Sequence, residues 1–116
     1  MKINSLPVIP YYAVIFTSLK TSMDHEGYAA MADKMFSLAA IQPGFLCVET
    51  ARESMGITVS YWESEEAIFH WKENLEHLMA QELGIEKWYE YYIVRVCKVE
   101  RQYSFQKENG LHTIKE

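Results

Sequence analysis

Apolar and aromatic residues fill both parities of residues 11–19, YYAVIFTSL, and again of residues 91–99, which predicts two strands buried on both faces. Between them the period changes. Tyr28, Met31, Met35 and Leu38 recur at helical spacing behind Asp24, a capping residue, and predict a first helix over residues 24–40. Gln42-Pro43-Gly44 ends it, and residues 45–52 and 57–62 read as a hairpin joined across 53–56. A second helix over residues 65–82 follows from Ser64 as cap, Glu65 and Glu66 in the first turn, and an apolar stripe of Ala67, Ile68, Trp71, Leu75, Leu78 and Met79. Gly84 suits the position just past a helix end, with one more turn expected over residues 85–89.

The order β-α-β-β-α-β is that of an α+β, ferredoxin-like fold, a four-stranded antiparallel sheet with both helices on one face. The other face of such a sheet stays bare, yet strands one and four do not alternate apolar with polar. A second copy of the chain is the simplest cover, so a homodimer paired through its sheet faces is expected. Residues 1–10 hold two prolines and read as a docked arm, residues 11–103 as the folded domain, and residues 104–116 as a polar tail or late-ordering clasp.

Composition narrows the classes of partner. The 116 residues are 49% hydrophobic and 14% aromatic with a net charge of −5, which suits one packed domain. No Lys/Arg cluster offers the basic face that nucleic acid requires, no apolar run is long enough to span a bilayer, and no secretion signal is visible, so a cytoplasmic location is expected. Cys47 and Cys97 sit in apolar runs without metal-ligand spacing and read as buried thiols. Phosphate-binding loops, nucleophile elbows and CxxC motifs are absent from the sequence.

Two constellations can carry chemistry. His70, Asn74, His77 and Gln81 form a polar stripe on helix two beside Trp71; a histidine lining a cleft there can act as base toward an acidic phenol or enol. The plainer reading is a solvated helix shoulder. Trp71, Tyr28, Tyr61 and Trp62, with Trp88 and Tyr89, can form a slot for a flat ring or simply be core. The candidate site is thus His77 and His70 as catalytic groups, with Trp71, Gln81, Asn74, Tyr28, Tyr61 and Trp62 toward substrate.

The run QPGFLCVE from Gln42, then GITVSYWESEEAI from Gly56, then Trp71, resembles the antibiotic biosynthesis monooxygenase superfamily of dimeric α+β barrels. The likeness covers residues 11–101. It implies a cofactor-independent monooxygenase acting on a small aromatic or enolisable compound, or a non-catalytic ligand-binding or stress-response dimer on the same barrel. The superfamily also holds heme-degrading enzymes. In those relatives the tryptophan corresponds to Trp71, the ligating histidine to Gln81, and an asparagine falls within residues 13–16, which hold no amide. Heme degradation is therefore the third and least favoured reading, and no cofactor is expected.

Overall fold

Short polar side chains start both long helices. In the computed structural model, which describes residues 5–81, 85–108 and 111–115, with side chains over 5–78 and 87–107, Asp24 caps α1 (His25–Ala40). It does so in the left-handed conformation, φ 52° and ψ 58°, which Asp tolerates better than most residues. One carboxylate oxygen accepts from the Gly27 N–H at 3.1 Å and the other from the Trp88 indole N–H at 3.0 Å. The indole bond is the larger cause, ahead of Gly27, of a carboxyl held below its usual range. Ser64 caps α2 (Glu65–Gln81), its hydroxyl accepting from the Ala67 N–H at 3.0 Å.

Four strands form one antiparallel sheet in the order β2 (Phe45–Arg52), β3 (Met55–Trp62), β1 (Tyr11–Lys20), β4 (Tyr89–Val99). A short α3 (Ile85–Trp88) leads into β4. Register fixes which residues share a face. Arg52, Gly56, Ser18 and Tyr92 form one row across the sheet on the helix side, Thr50, Thr58, Phe16 and Val94 the next, and Val48, Ser60, Val14 and Val96 the third. The core sits toward the α2 end of this face: Val14, Ala39, Trp62, Ala67, Ile68 and Trp71, with Phe45 and Leu75 packed against them. Gly44 is required where α1 turns into β2, since its φ is 84° and a Cβ would lie 2.6 Å from the Ala67 Cβ.

The elements therefore follow the sequence pattern, with four differences. β3 begins at Met55, because Gly56, expected in the turn, pairs with Arg52 and Ser18 inside the sheet. β4 was expected to be buried on both faces; it lies at the sheet edge, and Tyr91, Ile93, Tyr92, Val94 and Val96 are all exposed in the single chain. Cys97 shares that exposure and Cys47 is half-buried, so neither is the fully buried thiol that its apolar run suggested. The stretch read as a tail holds an antiparallel pair, β5 (Ser104–Glu108) with β6 (Leu111–Lys115). Gly84 lies outside the described residues. No helix among the described residues is long and apolar enough to cross a membrane.

Candidate functional site

Small side chains on facing surfaces leave space between sheet and helices. Thr58, Ser60 and Gly56 on β3 make a low floor beside Val14 and Phe16, and Ala29, Ala32 and Ala39 on α1 make a thin roof. The result is a chamber of about 390 Å³, closed at one end by Trp71 and Leu75 of α2 and flanked by Met35 and Phe36. That volume lies at the small end of pockets that take organic ligands, about 300–1,000 Å³. Its lining is mainly apolar and aromatic.

Trp71 serves two roles. It is 8% exposed, and its ring stacks on Trp62 at 5.9 Å and 22° while bordering the chamber. Trp62, with no exposure at all, lies behind it as core, edge-on to Phe45 at 5.4 Å. Tyr28 borders the far end, where Phe16, Tyr89 and Tyr92 add a cluster of rings; Phe16 and Tyr92 stack at 5.2 Å. Burial, then the neighbouring Tyr28, pushes the Tyr89 phenol well above its ordinary value.

The polar residues singled out on α2 occupy other ground. His70 and Asn74 line a separate outer groove with Gln42, Pro43, Glu63 and Glu66. There the Asn74 amide donates to Gln42 Oε1 at 3.3 Å and to the His70 carbonyl at 2.9 Å, and His70 stands 3.8 Å from Glu66. His77 is exposed, and the Gln81 side chain lies outside the described residues. His70 and Asn74, expected to line the cleft, face away from it because Trp71 and Leu75 take the inward positions of the helix. Tyr61 is on the opposite sheet face, edge-on to Tyr11, its hydroxyl donating to Glu49 at 2.7 Å; burial and that bond raise its pKa. Of the residues that the sequence pattern points to, Trp71, Tyr28 and Tyr89 thus meet in one cavity.

Arg52 has no such pattern behind it. It is the last residue of β2, and a lone arginine beside a turn carries no spacing signature. Register explains its place: its side chain crosses strand β3 over Gly56, and the guanidinium donates to Ser18 Oγ at 2.5 Å. Its Cζ lies 5.6 Å from the Tyr28 ring centroid. Among the described residues, no group of three or more His, Cys, Asp or Glu side chains is arranged to hold a metal ion.

The fold is the one shared by solved structures of antibiotic biosynthesis monooxygenase type. SnoaB from Streptomyces nogalater, a cofactor-independent oxygenase, superposes with a TM-score of 0.65 at 9% identity, over 80% of this chain and 96% of its own. A Nitrosomonas europaea protein, assigned provisionally as an antibiotic biosynthesis monooxygenase, superposes with a TM-score of 0.64 at 11% identity, over 79% and 93%. No family model matches the chain. By sequence it belongs to the family of YqjZ from Bacillus subtilis (strain 168), an uncharacterized protein to which it is 54% identical over 110 residues, covering 93% of this chain and 96% of YqjZ.

Proposed function

We propose that the chain is a cofactor-independent monooxygenase for a small, flat aromatic compound with an acidic C–H or O–H, working as a dimer. The observation that carries this reading is the aromatic chamber between sheet and helices, walled by Trp71, Phe36 and Phe16. Stacking on such walls orients flat rings. The shared fold of SnoaB supports the reaction type. In the step envisaged, an activated methylene loses its two C–H bonds and gains C=O, the new oxygen coming from O2. The second oxygen leaves as water with the two hydrogens, so the substrate supplies all the electrons.

The dimer is supported by the open sheet face. Ile57, Thr17 and Ile93 form a row there, with Ile57 44% and Ile93 43% exposed. Two-fold pairing lets one apolar patch cover another of the same composition.

Dithranol, a dihydroxyanthrone, tests the activity. An oxygen electrode should register one O2 consumed per quinone formed, without hydrogen peroxide, at a rate above the spontaneous oxidation. His70→Ala and His77→Ala should retain that rate, as neither residue is part of the chamber lining. Loss of turnover in either variant, with folding intact, would return the chemistry to the helix-two stripe. Among the described residues no histidine lines the chamber, which also favours a second reading, a binding dimer without catalysis. Dithranol would then bind saturably with no oxygen uptake above background.

A further inference from the structure

The apolar chamber ends on a cation. Arg52 belongs to the lining, and beyond it and Tyr28 lies a second, polar hollow bounded by Lys20, His25, Thr21, Glu53 and Glu90. Tyr28 and Arg52 border both spaces, so together they divide one from the other. The Tyr28 ring has a cation on it from each strand end: Lys20 Nζ at 4.9 Å and Arg52 Cζ at 5.6 Å from the centroid. Lys20 is also hydrogen-bonded to His25.

Several features hold the guanidinium in this position. Ser18, 1% exposed, accepts one of its N–H bonds. Gly56 leaves the track across β3 open; a Cβ there would overlap Arg52 Nη2. Among the described residues no carboxylate forms an ion pair with Arg52, although Asp33 lies on the chamber wall and Glu53 and Glu90 line the outer hollow. A planar guanidinium has five donors, and one bond to Ser18 leaves the others for a ligand oxygen.

We infer that Arg52 determines which ligands the chamber takes: it receives the anionic oxygen of a flat aromatic acid, a carboxylate or an ionised enol or phenol, whose rings lie against Trp71 and Phe36. This rests on the chamber being the ligand site, and gives that site a polarity, rings inward toward α2 and charge outward at the Tyr28 end. For an oxidisable enol the same contact favours the ionised form, which is the form that reacts with O2.

The test uses two probes of nearly equal shape on the full chain, 2-naphthoate and its neutral amide 2-naphthamide, followed by quenching of tryptophan fluorescence. Wild type should bind the acid at least tenfold tighter than the amide. Arg52→Met, which keeps the aliphatic length, should weaken the acid by about ten- to hundredfold and leave the amide within a factor of two. Gly56→Ala should do the same more mildly, by displacing a flexible side chain, and serves as the second variant if Arg52→Met loses its folded circular dichroism signal. Equal binding of acid and amide by wild type would overturn the inference while leaving the chamber reading intact, as would equal weakening of both by the two variants. Failure of both probes to bind wild type would overturn the inference together with the reading beneath it.

Discussion

Trp62→Ala is expected to lower the unfolding free energy by about 3–5 kcal/mol, the range for removing a buried large aromatic. Trp62 has no exposed surface, stacks on Trp71, meets Phe45 edge-on, and donates its indole N–H to Ser60 Oγ at 2.9 Å. Alanine would open a cavity at the junction of β3, α2 and the α1–β2 turn, and orphan the Ser60 hydroxyl. Domains of this size are stable by only about 5–15 kcal/mol, so much of the margin would go. Urea denaturation followed by circular dichroism measures it. A loss under about 1 kcal/mol would mean that the core is centred elsewhere.

The second large effect concerns assembly. Sedimentation equilibrium at micromolar concentration should give twice the chain mass of 13.6 kDa. The row Ile57, Thr17, Ile93 crosses the middle of the open face, flanked by Val59, Ile15 and Arg95 on one side and by Met55, Leu19 and Tyr91 on the other. Ile57→Lys with Ile93→Lys places two like charges against their symmetry mates, where burial without a partner is costly. The double variant should sediment as monomer while keeping its secondary structure. A wild-type monomer, or a dimer indifferent to both lysines, would remove the sheet-face interface.

Most elements were legible because their signals are local. Asp24 and Ser64 cap the helices they announce, and the apolar stripe of α2 does face the sheet through Trp71 and Leu75. Gly56 misled because glycine is a strong turn signal; its use inside β3 depends on Arg52, which reaches across it from the neighbouring strand. The C-terminal pair was missed although Asn109-Gly110, a strong hairpin signal, separates its strands, because the polar composition around it outweighed the dipeptide. For the site, Trp71 and Tyr28 were readable as aromatics on inward positions. His70 and Asn74 were readable as a stripe, but which side of α2 faces the cavity depends on where the helix packs. Arg52 had no signal at all, since it meets Ser18 and Tyr28 only once four strands are in register.

Every functional property proposed for this chain rests on the chamber being the ligand site. A crystal grown and soaked with dithranol under nitrogen, where turnover has no oxygen, tests it most directly. The fused rings should lie between Phe16, Phe36 and Trp71, with their acidic oxygens toward Arg52 and Tyr28. Rings seated instead in the outer groove beside His70 and Asn74, with the chamber unfilled, would contradict it.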